Sequence, residues 1–326
     1  MSAESIKEAL ETRQVGIYFG AVLTAGVAAL LAPEIAAVRT GINPALALML
    51  FSTFLQVPLA DLGKAVVHVR FIAALLTANF IAIPLLVTAL VQFLPDDPSV
   101  RFGVLLVLLA PCIDYVVTFS HLGRADARLL LAATPALLIT QMLLLPVYLG
   151  AFLGTDAAGL VQAGPFVQAF VWVIAVPLLF AALVQLWTAR SRTGERVSTA
   201  FGLLPVPATA LVLFVVVSAV VPQLGPAKQT ALCVVPIYLA FAVLAPLIGW
   251  SVARLFRLDA PTGRAVAFSA ATRNSLVVLP LAFAVPGAGP VLPAIIVTQT
   301  LVELTGELVY IRLIPRLGSR NSVTAI

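Results

Sequence analysis

The chain of 326 residues is 61% hydrophobic and carries only 19 Lys and Arg and 14 Asp and Glu, about a tenth of the residues where a soluble domain has about a quarter. That composition excludes an ordinary water-soluble fold. The net charge of +5 does not point to nucleic acid, because the basic residues sit in short segments between apolar stretches, where a positive-inside bias accounts for them.

The first fourteen residues, MSAESIKEALETRQ, mix both charge signs and lack the small-residue cleavage site of a secretory leader. They are expected to form a cytoplasmic tail, 1–14, with a short amphipathic helix at most. Ten apolar spans follow in chain order, 15–32, 42–60, 70–94, 101–122, 127–153, 165–187, 200–221, 229–255, 263–286 and 291–314, separated by Pro, Gly and charged residues. Each is long enough to cross a hydrocarbon core as a helix, which takes about 20 residues. Residues 317–326 are expected to form a second cytoplasmic tail. The fold class is all-α integral membrane, one polytopic domain of ten transmembrane helices.

Orientation follows from the basic residues. Fifteen of the 19 fall on one face of this arrangement, from Lys7 and Arg13 to Arg316 and Arg320, against Arg39, Arg101 and Lys228 on the other, with Arg273 inside a span. Both termini are therefore placed in the cytoplasm, in a multi-pass protein of the plasma membrane.

Two pairs of strings reveal an internal repeat. Pro44-Ala-Leu-Ala-Leu-Met-Leu-Phe51 matches Pro207-Ala-Thr-Ala-Leu-Val-Leu-Phe214 at an offset of 163, and Pro135-Ala-Leu-Leu-Ile-Thr-Gln141 matches Pro293-Ala-Ile-Ile-Val-Thr-Gln299 at 158. The chain reads as two five-span copies, 15–155 and 164–316. Because five is odd, the second copy enters the membrane from the opposite face, and an inverted repeat of this kind supports alternating access.

Ionisable side chains at mid-membrane cost about 2.5 to 3.5 kcal/mol each on insertion scales and call for a function. Four qualify: Asp114, Arg273, Glu303 and Glu307. Pro111-Cys-Ile-Asp-Tyr115 interrupts span four and Thr272-Arg-Asn-Ser275 interrupts span nine, at repeat-equivalent places. Two broken helices are expected to cross at the midplane there, with Asp114 meeting Arg273. The bland alternative is an ion pair that merely offsets its own burial. Cys112, Arg273, Asn274 and Glu303 are the candidate substrate contacts, and Asp114, Glu303 and Glu307 the candidate proton carriers. Glu303 and Glu307 stand four apart on one helical face, where like charges repel. Glu307 has an alternative as a solvated side chain near the cytoplasmic end beside Arg312, and Cys112 one as a small hydrophobe.

Cys112 and Cys233 lie in separate apolar stretches, so neither a disulfide framework nor a Cys-x-x-Cys metal spacing is present, and no cofactor or resident metal is called for. Cys233 is expected to pack. His68 and His121 fall at cytoplasmic span ends, and Asn79, Thr118, Thr134, Thr140, Gln141, Thr298 and Gln299 read mostly as interhelical hydrogen-bonding residues.

The segment Leu109-Ala-Pro-Cys-Ile-Asp-Tyr-Val-Val-Thr-Phe-Ser-His-Leu122 resembles the stretch of Acr3-type arsenite efflux transporters built around Ala-Pro-Cys. Those belong to the superfamily that also holds the bile acid:sodium symporters. The resemblance implies ten spans, inverted repeats, crossing broken helices four and nine, and transport roles for Cys112 and, through Leu301-Val-Glu303, for Glu303. Sodium-coupled relatives resemble the chain through Val116-Val-Thr-Phe119 and the Asn-Ser of span nine, but their acidic position corresponds to Ser269 and their glutamine to Arg273. A fixed guanidinium would replace a sodium ion electrostatically, so proton coupling is expected instead. Asp114 and Tyr115 depart from the arsenite exporters.

Two functions follow. In the first, the protein exports trivalent arsenic, with antimonite as a second candidate substrate, by proton antiport, a panel of spans one, two, six and seven moving against the broken-helix core; Cys112 is the soft ligand. In the second, it carries small organic anions in the manner of bile acid symporters, with Arg273 on the substrate carboxylate and Cys112 inert. Membrane-embedded enzymes are excluded because no His-Glu-x-x-His or Gly-x-Ser-x-Gly occurs, and channels because nothing resembles a pore loop.

Overall fold

Apolar runs without water leave backbone N–H and C=O groups only each other, and the helix is the local solution. The computed structural model describes residues 3–56, 68–113, 115–153, 168, 171–283, 285 and 290–318. Among them every extended regular element is helical: α1 (Ala3–Leu31), α2 (Ile42–Gln56), α3 (Val69–Thr77), α4 (Ile83–Val91), α5 (Pro98–Leu108), α6 (Tyr115–Leu122), α7 (Ala127–Leu153), α8 (Val176–Thr188), α9 (Arg192–Phe201), α10 (Pro205–Val220), α11 (Leu224–Leu255), α12 (Ala260–Ala271), α13 (Ser275–Phe283) and α14 (Val291–Leu313). A 3₁₀ stretch, Pro33–Gly41, joins α1 to α2, and a π turn, Ala78–Ala82, joins α3 to α4.

Six stretches are long and apolar enough to cross a membrane, Ser5–Leu31, Ala37–Gln56, Val69–Val91, Ala127–Phe152, Ala227–Leu255 and Val291–Arg316, and α9 with α10 makes a seventh, bent by 42°. They coincide with expected spans one, two, three, five, eight, ten and seven. Expected spans four and nine are in pieces, α5 with α6 and α12 with α13, and of span six the described part is a π turn and α8.

The segment expected as an N-terminal tail, 1–14, is helical over its described residues 3–14 and continuous with the first span. Residues 3–14 are the first turns of the 29-residue α1, which at 1.5 Å per residue is roughly 43 Å long and outreaches a hydrocarbon core of about 30 Å. Its polar start is held because Gln14, only 6% exposed, accepts a hydrogen bond of 3.0 Å from Thr118 Oγ1 on α6.

Two packed groups stand out among the described residues. Helices α1, α2, α8 and α10 pack on one another, while α11 packs on α12 and α14, and α14 on α5 and α13. On the outside, Ile139, Leu143 and Val147 of α7 are 59%, 69% and 61% exposed, and Leu239, Val243 and Leu247 of α11 are likewise exposed. Apolar stripes at four-residue spacing on outer helix faces are surfaces for lipid.

The α11–α12 crossing depends on Gly249, where a Cβ would stand 2.6 Å from Ala270 Cβ and 2.9 Å from the Val266 carbonyl oxygen. Gly249→Ala gains up to about 1 kcal/mol in helix propensity, yet overpacking costs about 1 to 3 kcal/mol. The variant is expected to melt several degrees lower in detergent by dispersion or tryptophan fluorescence; an unchanged midpoint would show that the crossing has slack.

The break between α5 and α6 meets the break between α12 and α13. Pro111 pairs with Arg273 in an isolated antiparallel bridge, with Cys112 N–H donating to the Thr272 carbonyl at 3.0 Å and Asn274 N–H to the Ala110 carbonyl at 2.7 Å. Backbone freed by each break is thus satisfied by the other. Pro111 and Arg273 are 162 positions apart. The same separation relates two tyrosine bonds: Tyr148 Oη donates to the Phe80 carbonyl and Tyr310 Oη to that of Ala242.

Candidate functional site

Arg273 sits in the break between α12 and α13 and is fully buried. Its guanidinium donates to Asn79 Oδ1 at 2.8 Å, to the Ser269 and Ala270 carbonyls at 2.7 and 2.8 Å, and to the Leu108 carbonyl at 3.3 Å. It also lies 5.5 Å from the centre of the Phe241 ring. Among the described residues all these hydrogen-bond acceptors are uncharged. Ser269 and Ala270 belong to the last turn of α12, and Leu108 ends α5. The cation therefore rests on the negative ends of both incoming half-helices, where a positive charge is favoured. Asn79 completes the seat from the π turn, its Nδ2 donating to the Leu75 carbonyl and to Ser269 Oγ at 3.0 Å each. A π turn in a spanning helix is a frequent mark of a functional position.

Glu303, on α14 and 3% exposed, faces the other side of the crossing. Its Oε1 accepts from Tyr115 Oη at 2.5 Å, and its Oε2 accepts from Arg273 N–H at 2.6 Å and from Gln299 Nε2 at 2.5 Å. One residue thus serves two centres: the Arg273 backbone holds the carboxylate while its side chain turns away to the helix ends.

Glu307 is fully buried, which rules out the solvated cytoplasmic position. Its Oε1 accepts from Thr272 Oγ1 at 2.5 Å, and its Oε2 has no partner among the described residues. The carboxyl pair on one face is therefore unequally served, three donors for Glu303 and one for Glu307.

Cys112 is fully buried in the crossing itself. A small cavity beside Glu303, lined among others by Tyr238, Phe241, Gln299 and Tyr310, does not include it. Asn274 is buried as well, and its Oδ1 accepts from Val277 N–H at 3.3 Å, which makes it the cap of α13. Asp114 lies outside the described residues, and so does its expected meeting with Arg273. Cys233 is exposed on α11 and donates to the Thr230 carbonyl at 3.0 Å. His68 borders an open hollow of about 450 Å³ with Arg70, Arg257 and Asp259, and His121 is exposed at the end of α6.

Sequence reasoning missed Tyr115 and Thr272 as partners of the two glutamates, and Tyr238 altogether. A hydroxyl in an apolar helix carries no periodic or charge signal, so nothing separates a site tyrosine from an interfacial one.

Among the described residues the molecule is an all-helical, multi-pass membrane protein whose polar centre lies at a crossing of broken helices, the build of a carrier for small molecules. Residues 43–225 match the Sodium Bile acid symporter family. The chain belongs to that family, whose members are transporters and not enzymes. The matched stretch includes Cys112 and ends before Arg273, Glu303 and Glu307. No curated protein matches the chain.

Proposed function

We propose that the protein is a sodium-independent, proton-coupled exporter of trivalent arsenic, working by alternating access in the plasma membrane with both termini cytoplasmic. The observation that carries the coupling reading is the seat of Arg273: four hydrogen bonds tie a permanent cation to the ends of α5 and α12 and to Asn79, so a mobile cation would meet an occupied, positive place. Charge exchange then falls to the carboxyl pair, Glu303 held by three donors and Glu307 by one.

The ten-span inverted repeat is part of this proposal. It draws support from the shared separation of 162 between Pro111 and Arg273 and between the two tyrosine–carbonyl bonds. The panel of α1, α2, α8 and α10 is the group that would rock against the core.

Arsenic as substrate rests on Cys112 in the break, a thiolate being the ligand that soft trivalent arsenic prefers, and on the resemblance of its surroundings to arsenite exporters. Cells lacking their own exporter should accumulate at least tenfold less arsenite when the chain is expressed, and Cys112→Ser should abolish the difference although the protein still inserts. Unchanged accumulation with the intact chain would remove arsenic as the substrate.

Membership of the bile acid symporter family favours a second reading, the carriage of small organic anions. There Arg273 would have to release internal bonds to reach a carboxylate. Uptake of a labelled bile acid that survives Cys112→Ser would establish it.

A further inference from the structure

Around Glu303, buried polar atoms without a hydrogen-bond partner among the described residues include Tyr238 Oη on α11 and Gln299 Oε1 on α14. Tyr238 is 2% and Gln299 3% exposed. Leaving a buried polar group unmatched is costly, and native interiors rarely leave two at one cavity. Both residues line one cavity of about 10 Å³, together with Leu108, Phe241, Glu303 and Tyr310. That volume is close to the room one water needs, about 10 to 15 Å³.

The groups are complementary to such an occupant. Gln299 Nε2 donates to Glu303 Oε2, and this bond orients the amide so that Oε1 is the end left to accept. The Tyr238 hydroxyl can donate or accept. Tyr310 Oη is already committed to the Ala242 carbonyl, and Tyr115 Oη to Glu303.

We propose that this cavity is a binding site for a single water, held by Tyr238 Oη and Gln299 Oε1 against Glu303, and that Glu303 exchanges its proton through it. The second half rests on the proton-coupled reading above. A proton arriving on the water passes to a Glu303 oxygen, leaving neutral water and a neutral carboxyl; only O–H bonds form and break. Tyr238 is a positioning residue for that water. The other titratable groups facing the centre are Glu307 and Tyr310 from α14, Arg273 and Cys112 from the two breaks and Tyr115 from α6; α10 and α13 carry none, and Asp114 lies outside the described residues.

The test compares the intact chain, Tyr238→Phe and Glu303→Gln in proteoliposomes, reading arsenite flux against pH, with thermal melting and a map near 2 Å resolution for the intact chain. The expected result is density for one water between Tyr238 and Gln299, a flux in Tyr238→Phe reduced at least tenfold with its pH profile displaced, and a lowered melting midpoint. A map without density, or a Tyr238→Phe protein that melts higher with an unaltered pH profile, overturns the proposal, because deleting a dry unmatched hydroxyl relieves a penalty. If Glu303→Gln itself keeps the pH dependence, the proton-coupled reading fails and takes the exchange route with it, while the water site is still decided by the map.

Discussion

Arg273→Gln is expected to abolish transport in sodium-free medium and to recover a measurable part of it when sodium is supplied. The guanidinium supplies the donors for Asn79 Oδ1 and for the carbonyls of Leu108, Ser269 and Ala270. Without it, four oxygens converge on a buried space at the negative ends of α5 and α12, an oxygen-rich seat suited to a small hard cation. Removing one charged member of a buried network costs about 3 to 5 kcal/mol, so the sodium-free variant should also melt well below the parent, and sodium should raise its midpoint by mass action. Arg273→Lys keeps the charge but presents it as a point instead of a fork; it should stay sodium-independent at reduced stability. Flux and melting in sodium and choline buffers decide the matter. Equal sodium-free flux in Arg273→Gln and the parent would show that the fixed cation does not set the coupling.

Glu303→Gln should reduce flux at least a hundredfold and remove its dependence on an imposed pH gradient. Three donors point at this side chain, from Tyr115, Gln299 and the Arg273 backbone. An amide has one acceptor oxygen and brings two donors of its own, so at least one of the three donors must turn away or reverse its role in a site that is 3% exposed. The loss of an ionisable group and the mismatch both act, and Glu303→Asp separates them by keeping the first while shortening the reach. Partial, still pH-dependent flux in Glu303→Asp is expected. Full activity in Glu303→Gln would move the exchanging proton to another carboxyl, with Glu307 next in line.

Much of this is legible in the amino-acid sequence. Proline beside polar residues inside an apolar run marks a break that no intact helix tolerates, so the crossing of the segments around Pro111 and Arg273 could be anticipated. Glu303 could be singled out because a carboxylate in such a run is costly. The strings leave the register of the proposed repeat open by a helical turn. The strings beginning at Pro135 and Pro293 are 158 apart, whereas Tyr148 and Tyr310, on the same two helices, make matching bonds at a separation of 162. Four residues is about one turn, so sliding by that amount keeps the same helix face inward, and apolar strings cannot tell the two registers apart.

Hydropathy, proline and the cost of burying charge are local properties, which is why the sequence by itself determined that the chain crosses a membrane as helices, where two of them break, and which ionisable residues the core must accommodate. Tertiary structure alone decided what those residues do with their charge. The guanidinium of Arg273 is seated on Asn79 and Leu108, 194 and 165 positions away, because the helix ends meeting there bring several carbonyl acceptors together. Glu307 could be read either as a proton carrier or as a solvated side chain beside Arg312, and it is buried against Thr272, because α14 packs its glutamate face against the second break. Such partners are set by which helices touch, and no spacing along the chain encodes that.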